Sequence, residues 1–153
     1  MRVHHFDKFA QVGNELLIHL AGEIGEPDNF KKAERMLKAV LHTLRDSIPM
    51  EESFQFMAQL PLIVKGIYVS EWKYSIQPKK IRHMDAFLEE VIIKDNMAGE
   101  GDFKNPEKAA FLIKKVFKVL GQYASKGEWQ DVLSNLPHEI RPLVQPALER
   151  AAQ

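Results

Sequence analysis

An all-α fold, built as a tandem pseudo-repeat of two four-helix units packed into one bundle-like domain, is what this sequence predicts. Two observations carry that reading. The chain repeats itself: a shift of 76 positions brings Ala33 onto Ala109, Lys38 onto Lys114, Val40 onto Val116, Leu44 onto Leu120, Glu52 onto Glu128 and Leu60-Pro61 onto Leu136-Pro137 without a gap. Met36/Leu112, Leu41/Phe117, Met57/Leu133, Gln59/Asn135 and Val64/Ile140 are near-matches in the same register. Apolar residues also recur at helical spacing through both halves, punctuated by proline and glycine. What repeats is apolar positions, a turn and a Leu-Pro step, so the repeat describes architecture and not chemistry.

In chain order, Phe6, Phe9, Val12, Leu16, Leu17 and Leu20 form the stripe of a first amphipathic helix over roughly 6–20. Gly22, Gly25 and Pro27 end it, and Asp28 or Asn29 can cap the next by accepting from a free first-turn amide. The second helix carries Phe30, Ala33, Leu37, Val40, Leu41 and Leu44 and ends near Asp46. Pro49 forces a turn, because it cannot donate to a continuing helix. A short third helix turns Phe54, Met57 and Leu60 inward. Pro61 belongs in the first turn of a fourth, Leu62–Val69, whose apolar residues lie nearly all round and make it the most buried; a strand is the runner-up there. Ser70–Lys80 is the least regular stretch. Ile81, Met84, Phe87, Leu88, Val91 and Ile92 mark a further helix, and Asp95–Lys104 reads as a polar, mobile loop.

The second half replays the first. Asn105-Pro106-Glu107 combines a cap, a proline at the first helical position and an acid in the first turn. Ala109, Ile113, Val116, Phe117 and Leu120 form the stripe. Ser125-Lys126-Gly127-Glu128 fits a capping box, in which hydroxyl and carboxylate each satisfy the other residue's backbone N–H. Pro49 replaces that serine in the first copy, so only half the box survives beside Glu52. Trp129, Val132 and Leu133 face inward. Pro137 opens a last helix through Ile140, Leu143, Val144 and Leu148, which Pro142 and Pro146 should distort or shorten. A unit of roughly 70 residues leaves an apolar face uncovered, and packing the copies together covers it. The expectation is one domain over 1–153, with repeats at 6–76 and 84–150 about a pseudo-twofold axis.

Composition narrows the function. The chain has 153 residues, no cysteine, and 21 basic against 21 acidic residues. Zero net charge argues against nucleic acid as a partner. The lack of cysteine removes disulfide scaffolds, thiol catalysis and cysteine zinc sites, and suits the cytoplasm. No apolar run approaches the roughly 20 residues that span a bilayer, and Met1–Asp7 carries no secretory core.

With the repeat laid out, Val40-Leu41-His42-Thr43-Leu44-Arg45-Asp46, Ala58-Gln59-Leu60-Pro61, Lys65-Gly66-Ile67-Tyr68, Trp72 and Pro78 together resemble the bacterial family called domain of unknown function 2267. Val116-Phe117-Lys118-Val119-Leu120 and Asn135-Leu136-Pro137-His138-Glu139-Ile140-Arg141 carry the resemblance through the second copy. It covers nearly the whole chain, and the specificity lies in the order of the motifs. The second aromatic and the glycine common in that family between the tyrosine and the tryptophan are replaced here by Val69 and Glu71. The resemblance implies an all-helical cytoplasmic bacterial protein and no reaction.

Motifs for chemistry are missing. His4, His5, His19, His42, His83 and His138 offer no pair four apart on a helix, the spacing a metal site needs. No Glu-x-x-His motif of a di-iron bundle occurs, and Glu52 and Glu128 read as caps. No serine stands in a Gly-x-Ser-x-Gly elbow and no phosphate-cradling glycine loop is present. Catalytic, cofactor and metal residues are therefore assigned to none. The candidate interaction loop is Tyr68, Trp72, Tyr74, Lys79, Lys80 and Arg82, an aromatic and cationic mix enriched at interfaces. Its competing reading is that Tyr68 and Trp72 fold back on the core. The function expected is a non-enzymatic module that binds a protein partner or self-associates; the alternative is a small-ligand binder with its pocket between the repeats.

Overall fold

The computed structural model describes residues 1–73, 81–95 and 99–151, with the backbone alone at 99 and 100. Helices account for most of these residues, and no strand occurs among them. The helices are α1 (Asp7–Glu23), α2 (Phe30–Ser47), α3 (Met50–Gln59), α4 (Leu62–Val69), α5 (Met84–Lys94), α6 (Gly99–Phe103), α7 (Pro106–Leu120), α8 (Lys126–Ser134) and α9 (Arg141–Glu149). A turn of 3-10 helix, Gly121–Tyr123, joins α7 to α8.

The boundaries follow from local chemistry. Gly25, at φ +84°, closes α1: its N–H reaches Gly22 O at 3.1 Å while Glu26 N–H reaches Ala21 O at 3.0 Å, the paired bonds that satisfy a helix's last carbonyls. Asn29 and Asn105 cap α2 and α7 by accepting from Lys32 N–H at 3.2 Å and Lys108 N–H at 2.8 Å. Pro61 immediately precedes α4, its missing N–H needed by no helical bond. The first turn of α5 is capped from a distance, by Glu139 accepting from Met84 N–H at 3.0 Å.

α2 and α7 form the centre. α1 packs on α2, α4 and α7, while α5 packs on α2, α6 and α7; α3 lies along α8, and α9 covers α7 and α8. The buried apolar residues of all these helices form one continuous cluster. Its middle is aromatic: the Trp129 ring meets Phe56 edge-on at 5.0 Å and Phe117 at 6.3 Å, and Phe56 meets Tyr68 at 5.7 Å. The Trp129 indole N–H donates to Gly121 O at 2.9 Å, so the largest ring buries no orphan donor.

Several expectations are corrected. α4 is not the most buried helix: Val64 and Tyr68 are covered, but Leu62, Ile63 and Val69 are 51, 43 and 41% exposed. Apolar composition all round does not bury a helix that has neighbours on one side only. Phe6, Phe9, Phe30 and Phe54 belong to the predicted inward stripes yet are exposed. Asp95–Lys104 contains α6, whose Phe103 is fully buried and anchors the segment. Pro137 opens a pair of tight turns, Ile140 N–H to Pro137 O and Leu143 N–H to Ile140 O, and α9 begins only at Arg141. Pro142 then falls in the first turn, where it removes no helical bond.

Candidate functional site

At the root of the predicted interaction loop, Tyr68 belongs to the core. It is fully buried at the end of α4, and its hydroxyl shares a hydrogen bond with Ser53 Oγ at 2.6 Å. Burial pushes its pKa well above the ordinary phenol value. Trp72 is half-buried, edge-on to Tyr68 at 5.9 Å and tilted against the exposed Phe54 at 6.0 Å. Its other neighbour is Arg45, whose guanidinium stands 5.2 Å from the indole centroid. The same guanidinium, nearly covered, donates to Tyr68 O at 2.6 Å and Ser70 O at 3.0 Å.

Two more residues of α2 tie down this segment. Buried His42 donates through Nε2 to Ile67 O at 2.7 Å, and burial holds its pKa below the usual histidine range. Lys38 pairs at 2.6 Å with Glu71, whose own backbone is left-handed, φ +59°. Arg82 is exposed. Tyr74, Lys79 and Lys80 lie outside the described residues. Of the predicted set, then, the structure joins Tyr68 to Trp72 and adds Phe54 and Arg45, which the sequence reading did not include. Phe54 was missed because its helical position looked inward.

A second constellation lies where α3 meets α8. The pairings of Gln59 with Ser125 and of Glu52 with Asn135 run these helices antiparallel. Between them Glu52 and Glu128 face each other, 8 and 6% exposed, with the exposed Asp131 beside them. One oxygen from each of the three carboxylates lies within 4.8 Å of the others. Glu52 Oε1 and Glu128 Oε1 are buried with no hydrogen-bond partner among the described residues. Glu52 Oε2 receives a long bond from Asn135 Nδ2, 3.4 Å. Burial, then the adjoining Glu52 carboxyl, raises the Glu128 pKa to about 8.

The expected capping box explains how these two acids come to face each other. Ser125 Oγ does accept from Glu128 N–H at 3.1 Å, but the reciprocal half does not form. Ser125 N–H is taken instead by Gln59 Oε1 at 2.8 Å. In the first copy the matching position is Pro49, which has no N–H to cap. Both glutamates are thus released from capping, each at the third residue of its helix, and turn toward one another. The repeat register, which lays Glu52 on Glu128, was the available signal.

A third group joins α2, α5 and α6. Arg35 grips Asp102 with two bonds, Nε to Oδ2 at 3.0 Å and Nη2 to Oδ1 at 3.1 Å. Asp95 sits beside them, 4% exposed, with neither oxygen hydrogen-bonded to the described residues. Burial, then Asp102, raises its pKa to about 8. Burial pushes Asp102 upward most strongly of any single cause, but the Arg35 hydrogen bonds, the adjoining Asp95 carboxyl and the charges of Arg35 and Lys32 together outweigh it and hold that carboxyl below the ordinary range.

The described cavities lie away from the α3–α8 carboxylates. One of about 160 Å³ opens between α1, α2 and α4, walled by Ala10, Leu16, Leu37, Ile63 and Ile67 with Asn14 and Glu34 at its polar side. No helix among the described residues is long and apolar enough to cross a membrane.

Residues 13–143 match the family described as "Uncharacterized conserved protein (DUF2267)", and the chain belongs to that family. A search of the curated proteins returns no match.

Proposed function

We propose that this DUF2267-family protein is a non-enzymatic docking module of two fused helical units, and that it engages a protein partner or a second copy of itself through the Phe54–Trp72 face. The observation that carries the reading is that face. Phe54 is 54% exposed and packs against the half-buried Trp72, which Arg45 and Tyr68 hold from behind. A large apolar surface fixed by a buried cation keeps little freedom to lose on binding, which is what makes aromatic anchors effective. Zero net charge favours a protein over nucleic acid as the occupant. Absence of cysteine suits action in the bacterial cytoplasm, as the family resemblance implies.

The two-unit reading is supported by the helix starts. The 76-residue shift that aligns Ala33 with Ala109 carries the start of α2 at Phe30 onto that of α7 at Pro106, and the start of α3 at Met50 onto that of α8 at Lys126. Packing supports it as well: α1 lies on α7 and α5 on α2, so each unit's first helix covers the other unit's central one. α6 has no counterpart in the first unit.

A second reading, a binder of a small apolar ligand, has the cavity between α1, α2 and α4 in its favour. That cavity belongs to the first unit, whereas the contact between units at Phe56, Tyr68, Phe117 and Trp129 is filled by rings.

A photoreactive amino acid placed at Phe54 in the full chain, expressed in its own host, tests the docking reading. The expectation is a protein adduct, with the chain itself or another protein, that an identical probe at exposed Glu149 does not give. Phe54→Asp should abolish the matching complex in sedimentation. Equal labelling at both positions, with a monomer in sedimentation, would overturn the reading.

A further inference from the structure

The meeting point of α3 and α8 is built in a way that the docking reading leaves unused. Glu52 and Glu128 are each more than nine-tenths buried, each has an oxygen with no hydrogen-bond partner among the described residues, and one oxygen from each lies within 4.8 Å of the other and of one from Asp131. Buried carboxylates are ordinarily paired with a cation or hydrogen-bonded. Here the charged groups acting on Glu128 are Glu52 and Asp131, both acidic. Asn135 makes up little of the difference: one N–H of its amide donates to Asp131 O at 2.9 Å, and the other reaches Glu52 Oε2 only at 3.4 Å.

We propose that Glu52, Glu128 and Asp131 form a binding site for one hard divalent cation, of the Mg²⁺, Mn²⁺ or Ca²⁺ class, that clamps the two helical units together. Oxygens bound to such an ion at 2.0 to 2.6 Å stand roughly 3 to 5 Å from one another, and the three here lie within 4.8 Å. The donor set is all carboxylate, with no imidazole or thiolate, and that composition favours hard ions over zinc or copper. Exposed Asp131 gives the ion a way in and leaves positions for water, as Mg²⁺ and Mn²⁺ require. The proposal stands apart from the docking reading, since none of its residues belongs to the Phe54–Trp72 face.

The test is Mn²⁺ titration of the full chain, freed of metal, followed by electron paramagnetic resonance with thermal denaturation in parallel. One Mn²⁺ per chain should bind with a dissociation constant below about 1 mM, and excess Mg²⁺ or Ca²⁺ should displace it. Glu128→Gln and Glu52→Gln should each weaken binding about tenfold or more. Glu128→Gln should melt no lower than the parent chain without metal, because the amide keeps the shape and brings no charge to bury beside Glu52, and should lose the rise in Tm that Mn²⁺ gives the parent. Absence of bound Mn²⁺ at millimolar concentration would overturn the proposal and leave the pair as two acids sharing a proton. Binding that Glu128→Gln leaves unchanged would overturn it too, placing the ion elsewhere.

Discussion

Replacing Asp95 with asparagine should stabilise this protein, and only above a definite pH. The folded carboxyl keeps its proton to about pH 8, because it is buried beside Asp102 with neither oxygen hydrogen-bonded to a described residue. In the unfolded chain the same group ionises near pH 4. Across that window the folded state binds more protons than the unfolded one, so the contribution of Asp95 to stability falls as pH rises through it. Below about pH 4 both states are protonated and the residue has no such cost; above about 8 the full cost is present. Each pH unit between the two values corresponds to ~1.4 kcal/mol, but Arg35 beside the pair is 43% exposed and solvent there screens much of it. We take on the order of 2 kcal/mol for Asp95→Asn at pH 9 after that screening, falling toward zero at pH 4. Asparagine keeps the shape and can donate to Asp102, so no cavity term opposes the gain. Asp102 should be unaffected across this range, since Arg35 holds its carboxyl below the ordinary value and its contribution is lost only in acid. Urea unfolding of both chains from pH 4 to 9 measures the difference directly and cancels the contribution of every other group. A difference that stays flat with pH, or a variant less stable at pH 9, would refute the assignment of an uncompensated Asp95.

Two further outcomes follow from packing. A Cβ added at Gly121 would stand 2.4 Å from Ala147 O and 2.8 Å from Arg150 Cβ, so Gly121→Ala must push α9 off α7. A loss of about 1–3 kcal/mol in denaturant unfolding is expected, and an unchanged midpoint would show that α9 is not closely seated there. A fragment of residues 1–76 should not melt cooperatively, because it exposes the faces of α1 and α2 that α7 and α5 cover. A sigmoidal two-state melt of that fragment would argue that the units fold separately.

Periodicity, caps and prolines were enough to read most of the helices. Asn29, Asn105, Pro61 and Pro106 act on backbone groups within a few residues of themselves, so their effect is written locally. The repeat was legible for the same reason: it is a regularity of one chain compared with itself. Exposure was not. Phe54 and Ile63 keep helical spacing with buried residues, and only the position of neighbouring helices determines that solvent reaches them. Glu128 is the clearest case. Its sequence context offers a complete capping box, and that local bond would form in an isolated helix. Gln59, 66 positions from Ser125, takes the Ser125 amide first, and Pro49 withholds the matching amide in the first copy, so both glutamates turn inward to meet. By itself the sequence determined the all-helical class and most of the helix starts, though not α6, which it read as a loop, nor the start of α9 at Arg141. Tertiary structure alone decided which side chains those helices share, because a hydrogen bond between distant segments competes on equal terms with a local one once packing has brought its partner within 3 Å.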